Sequence, residues 1–167
     1  MFNKKIAFIL STAAVCCYLG TGTASAQTND TAVVTYEVES ITQLGLTGAA
    51  SVKIVAGTAG QGLPSVTDST GVTYDITNNA GADSKKLIGK INTSMPANTV
   101  LSVNVTAPSG ALSADFVALT TSDQDLVTGI DNVNESGVAI SFKLEATVAA
   151  GVIASATKTF TMTIVAS

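Results

Sequence analysis

The sequence predicts an all-β protein: a single immunoglobulin-like β-sandwich of about eight to nine antiparallel strands that follows a signal peptide. Three observations carry that expectation. Apolar side chains recur at every second residue almost throughout, the period of a half-buried strand and not of a helix. Val, Thr, Ile, Ala and Ser dominate, and the β-branched members of that set suit a pleated, half-buried surface. Clusters of Gly, Pro, Asn, Asp and Ser interrupt the alternation about every ten residues, the rhythm of strands joined by turns.

The leader comes first. Lys4 and Lys5 precede an apolar run from Ile6 to about Leu19, and Ala24-Ser25-Ala26 gives a small-x-small cleavage signature before Gln27. That pattern predicts a secretory signal peptide over 1–26 and a single domain over 27–167. The apolar run is shorter than the ~20 residues a spanning helix needs, and Thr, Asp, Asn or Lys interrupt every later one. A lipid-modified Cys16 or Cys17 would be preceded by Gly, Ala or Ser, whereas Val15 and Cys16 stand there. The mature chain is therefore expected to be secreted, whether extracellular, on the cell surface or in a periplasm, without membrane insertion.

Each strand is then legible in turn. "TAVVTYEVESI" sets Val34, Tyr36 and Val38 on one face, predicted to be core, and Thr35, Glu37 and Glu39 on the other. "ASVKIVA" contributes Val52 and Ile54, and "GVTYDIT" contributes Val72, Tyr74 and Ile76. In "KKLIGKINT", Leu87 and Ile91 keep one parity across Gly89; "TVLSVNVTA" pairs Leu101, Val103 and Val105; "ADFVALT" pairs Phe116 with Ala118. A short strand over "DLVTGI" precedes the long "GVAISFKLEATVA", which aligns Val138, Ile140, Phe142, Leu144, Ala146 and Val148. The last, "TKTFTMTIVAS", sets Phe160, Met162 and Ile164 against Thr159, Thr161 and Thr163.

The joints are "GTAGQGLP", "NNAGAD", "SMPAN", "APSG", "TSDQD", "NESG" and "AAGVIAS". The Cys–Trp–Cys signature of antibody domains is missing, so the immunoglobulin likeness is architectural. A small outer-membrane barrel would need aromatic girdles at both interfaces. From Gln27 onward the aromatics are Tyr36, Tyr74, Phe116, Phe142 and Phe160, each inside a strand.

Composition excludes much chemistry. From Gln27 onward, six lysines stand against twelve acids, a net charge of −6, and the chain has no Arg and no His. Such a chain lacks the positive field and the bidentate donor of nucleic-acid binding. Both cysteines lie in the leader, so disulfides, thiolate metal sites and thiol redox chemistry leave with it. Without His there is no usual triad base or zinc ligand set, and "GTAGQG" runs into Leu-Pro instead of a phosphate-binding helix. The acids lie on outward positions or in turns, where solvation explains them without a glycosidase pair. The chain is expected to be no enzyme and to need no cofactor.

Two binding chemistries are left. "SDQDLVTGIDN" offers Asp123, Asp125 and Asp131 as oxygen donors for Ca²⁺, although without the spacing of a calcium loop. A polar sugar or ligand site is the other, since no Trp is present and Tyr36 and Tyr74 share parity with apolar neighbours, which assigns both to the core. Lys53 and Lys143 fall mid-strand, where some bacterial surface sandwiches form Lys–Asn crosslinks, but alternation turns both outward.

The closing hairpin, "LEATVAAGVIASATKTFTMTIVAS", resembles the ending of bacterial pilin-like and spore-coat-like secreted sandwiches, in which an Ala/Gly-rich turn leads into a final alternating strand. The resemblance implies a structural or adhesive subunit of a surface, fibre or matrix that associates with itself or with other surface proteins. In chaperone-assembled pilins a subunit accepts the N-terminal extension of the next beside its final strand. Carried onto this sequence, 31–38 becomes the donor, with Val34, Tyr36 and Val38, and 157–165 one wall of the acceptor, with Phe160, Met162 and Ile164. Those pilins carry a cysteine pair and a longer extension, neither of which this chain has from Gln27 onward.

Overall fold

The structure, a computed structural model, describes residues 29–81 and 84–167; the expected leader and its cysteines lie outside the described residues. Contacts divide the chain into two units, Met1–Glu37 and Val38–Ser167. The larger unit is all-β and consists of two antiparallel sheets. Its strands are β1 (Thr42–Gly48), β2 (Val66–Asn78), β3 (Lys85–Ile91), β4 (Thr99–Val105), β5 (Leu112–Ser113), β6 (Val117–Ala118), β7 (Gln124–Ile130), β8 (Val133–Ala146) and β9 (Phe160–Ala166). One sheet runs β1-β2-β8-β4-β6 and the other β5-β7-β3-β9. No helix among the described residues is long and apolar enough to cross a membrane.

Alternation places the core. Val72, Tyr74 and Ile76 of β2, Val103 and Val105 of β4, and Ile140 and Phe142 of β8 turn inward from the first sheet. Leu87 and Ile91 of β3 and Leu126, Val127 and Ile130 of β7 meet them from the second in one cluster. Burying such side chains contributes roughly 1.5–3 kcal/mol each, and it is the driving force for a fold whose described residues include no cysteine. The Tyr74 hydroxyl donates to Thr106 O at 2.6 Å, which allows a phenol in the core; burial pushes its pKa up, and the Glu135 carboxylate adds to that.

The pairing fixes two ends. Thr42 stands opposite Asn78, Asn78 opposite Val133, and Lys85 opposite both Ile130 and Ala166. At this lower end, β1, β3 and β8 begin while β2, β7 and β9 finish. Asn78 is buried there, donating to Asp131 O at 2.7 Å and accepting from Thr42 Oγ1 at 2.8 Å, which ties the start of β1 to the β7–β8 connection. At the upper end β1 stops where Gly48 (φ +101°) crosses Gly71. A Cβ on Gly48 would lie 2.0 Å from Gly71 O, so only glycine permits that approach.

Four expectations are corrected. Residues 29–41 form no strand, and Val34, Tyr36 and Val38 are 78%, 88% and 80% exposed instead of core. Alternation makes a segment amphipathic when extended, but a strand also needs a neighbour for its N–H and C=O groups, and 31–38 has none among the described residues. The first strand is instead Thr42–Gly48, whose two glycines weaken the sequence signal. Residues 50–56 alternate as expected, with Val52 and Ile54 half-buried, yet form no strand ladder among the described residues. Around Phe116 the inward parity belongs to Val117 and Leu119, and Val148 lies past the end of β8 in an exposed 3₁₀ turn, Val148–Ala150.

Candidate strand-acceptor edge

Four edge strands bound the two sheets, and they differ in kind. β5 and β6 are two residues each, too short to template another strand. β1 and β9 are seven residues each, TQLGLTG and FTMTIVA, without a charge or a proline between them. Short strands, lysines, prolines and bulges are the usual means of blunting an edge, and β1 and β9 use none of them. These two come within 8 Å of each other (Cα–Cα), so the unblunted edges share one flank.

The hydrogen bonds show which groups are left over. Asn92 N–H donates to Thr159 O at 3.0 Å and Ser167 N–H donates to Ser84 O at 3.1 Å, so odd-numbered residues of β9 face β3. In an antiparallel ladder the alternate residues face away. The N–H and C=O groups of Phe160, Met162, Ile164 and Ala166 therefore line the free edge. On β1, Ala49 N–H donates to Gly71 O at 2.9 Å and Asn79 N–H to Ile41 O at 3.0 Å, which leaves Thr42, Leu44, Leu46 and Gly48 free by the same parity.

At β9 the residues with free backbone groups also supply the inward side chains. Phe160, Met162 and Ile164 pack on the core without being fully buried, and the Phe160 ring meets Phe142 edge-on at 5.3 Å, joining the two sheets. Gly89, opposite Met162, makes room for that ring: a Cβ there would lie 2.8 Å from Phe160 Cε2 and 2.6 Å from Leu126 Cδ1. On β1, Leu46 stands opposite the buried Tyr74 and is still 43% exposed. The flank thus combines free backbone groups with an incompletely covered apolar floor.

Val34, Tyr36 and Val38 complete the sequence-predicted set. They lie in a segment without ladder bonds among the described residues, and Val33 beside them is also exposed. Just before β1, the Asn79 side chain accepts from Ile41 N–H and donates to Glu39 O at 3.1 Å. That clamp ties Glu39 and Ile41 to Asn79, and the sequence Val38-Glu39-Ser40-Ile41 has none of the Gly or Asn that a tight hairpin back onto β1 requires.

The remaining candidates are placed as follows. Asp123 pairs with Lys90 at 3.0 Å and Asp125 with Lys86 at 2.9 Å, both across from β3, whereas Asp131 lies past the far end of β7. Six extended residues put about 20 Å between Asp125 and Asp131, so the three do not converge. Among the described residues no group of three or more acidic side chains is placed to hold a metal ion. Lys143 bonds Glu145 at 3.2 Å and lies 4.9 Å from the centre of the Phe116 ring, on the outer face. Lys53 is exposed. A depression of about 250 Å³ beside β1 is lined by Gln43, Leu44, Gly45, Asp75, Ile76 and Thr77.

Sequence reasoning missed β1 as the second free edge and Asn79 as the clamp; the run "TQLGLTG" offers only two apolar positions, and an Asn in a turn carries no sign of what it bonds. Compared with protein-family models, curated proteins and solved structures, the chain has no match, so the edge geometry itself carries the functional argument.

Proposed function

We propose that this chain is a secreted, non-enzymatic structural subunit with an immunoglobulin-like sandwich, and that copies associate by strand addition. The segment 31–38 of one copy is the donor, and the free edge of β9 in another is the acceptor. One observation carries the reading: an uncharged seven-residue edge with a partly uncovered apolar floor coexists with an unpaired segment of matching period. Val34, Tyr36 and Val38 are spaced to cover Phe160, Met162 and Ile164, while the donor backbone bonds the groups that β9 leaves free. Each backbone bond so formed contributes roughly 0.5–1.5 kcal/mol net, and the covered side chains add to it.

Charge supports the same pairing. The donor segment carries Glu37 and no lysine, and Asp30 and Glu39 flank it. Lys158, at the start of the acceptor edge, bonds only Thr93 Oγ1 and Ser94 O, both at 2.8 Å, and no carboxylate among the described residues. The outward faces of both segments are otherwise Thr-rich, as suits a strand pair with one wet face.

Size-exclusion chromatography and electron microscopy of 27–167 test this reading. Higher oligomers or filaments are expected, and deletion of 27–38 should reduce them to monomer. A clean monomer whose behaviour is the same with and without 27–38 would contradict it.

A further inference from the structure

We infer that the exchange runs head to tail, with the donor antiparallel to β9, so that the assembly is an open polar filament and not a closed pair. The inference rests on the strand-addition reading and concerns its direction. The fold makes direction decide the outcome. A donor leads into its own β1, which begins at the lower end, where β9 finishes. If the donor lies antiparallel to β9 of the next copy, its Val38 end sits near Phe160, at the upper end. The donor's own body then stacks its lower end on the acceptor's upper end, and the contact repeats indefinitely. If the donor lies parallel, Val38 sits near Ala166. The two bodies then meet lower end to lower end, each within reach of the other's edge, and exchange closes at two copies.

Charge favours the stacked arrangement. At the lower end Glu39, Asp131 and Glu135 stand against Lys85 and Lys86, an acidic excess. At the upper end Lys53, Lys90, Lys143 and Lys158 stand against Asp68, Asp123, Asp125 and Glu145, a balance of four and four. Lower on upper sets the acidic end against one that holds four lysines, whereas lower on lower sets each acid near its own copy. Antiparallel pairing also directs Glu37 and Glu39 toward Lys158.

Apolar exposure follows the same division. Val55, Leu63, Val100, Val148, Val152 and Ile153 are exposed on the loops and strand start at the upper end, with Val55, Val148 and Val152 above 70%. At the lower end the exposed large apolar side chains of the strand starts and connections are two, Ile41 and Leu112, among the described residues. A body stacked on the upper end would cover that apolar surface, and a pair joined at its lower ends would leave it in water.

Disulfide trapping tests the direction, since 27–167 has no cysteine of its own. With Val38 opposite Phe160, Glu39 lies beside Thr159 on the outer face at a non-hydrogen-bonded site, where Cα atoms about 4.5 Å apart suit a disulfide. With the donor parallel, Glu39 lies beside Val165 instead. The chains Glu39→Cys/Thr159→Cys and Glu39→Cys/Val165→Cys are oxidised, after circular dichroism confirms the parent spectrum, and run without reductant. A ladder of multimers from the first pair and none from the second is expected. Crosslinking by the second pair that stops at a dimer would overturn the direction while leaving strand addition intact. Absence of crosslinks from both, with a monomeric parent, would overturn strand addition itself. Light scattering of the unmodified chain adds a readout free of any variant: mass that keeps rising with concentration supports the filament, and mass that saturates at two copies overturns it.

Discussion

Gly89 is the residue on which the acceptor edge depends most directly. Its missing side chain is the space that the Phe160 ring occupies, and through that ring β9 contacts Phe142 of the opposite sheet. Gly89→Val is expected to cost about 1–3 kcal/mol, because the added atoms must displace Phe160 or Leu126; urea unfolding of a chain lacking 27–38 measures it. Asn78 has a comparable role at the lower end. Asn78→Ala strands Asp131 O and Thr42 Oγ1 and is expected to cost about 1–3 kcal/mol by the same assay. Asp68 contributes a part of the stability that depends on acid. Its carboxylate accepts from the N–H groups of Ser51, Thr70 and Gly71, and these bonds, Ser51's foremost, hold it below the usual carboxylate range. A group whose folded value is depressed stabilises fully above its unfolded value, about 3.9, and loses that contribution as pH falls through the folded one. Asp68→Asn should therefore lower the melting temperature at neutral pH and flatten its decline below about pH 4.

Among the elements, period-two alternation finds the strands that have neighbours on both sides. β2, β3, β4 and β8 each place inward side chains where the spacing predicts, β7 forms where a short strand is expected but buries the adjacent Leu126 and Val127, and β9 keeps Phe160, Met162 and Ile164 on its core face. The same signal fails at 33–38 and 50–56, because it reports a capacity to be covered and not the presence of a cover. β5 and β6 escape it for the opposite reason: two residues cannot display a period. The failure at 33–38 is thus informative, since an amphipathic segment with no partner in its own chain is what strand addition needs. Tyr36→Asp should change the stability of the monomer by less than about 0.5 kcal/mol, because Tyr36 is exposed there, and should abolish association by setting a charge against Met162 and its neighbours. Thermal melts paired with size-exclusion chromatography separate the two effects.

For the whole molecule, the sheets, the charges and the exposed apolar surface share one polarity. One flank has short, blunted edges and the other has long, bare ones; one end is acidic and the other balanced in charge and more apolar. A subunit that both gives and receives a strand would use each of these differences. The most direct measurement is the thermal stability of a chain lacking 27–38, titrated with a synthetic peptide of residues 29–40. If the peptide fills the edge of β9, the melting temperature should rise with its concentration, by about 2.7 kcal/mol of stabilisation at a hundredfold excess over Kd, or several degrees. A melting temperature that stays constant at every peptide concentration, together with a monomeric 27–167, would contradict strand addition.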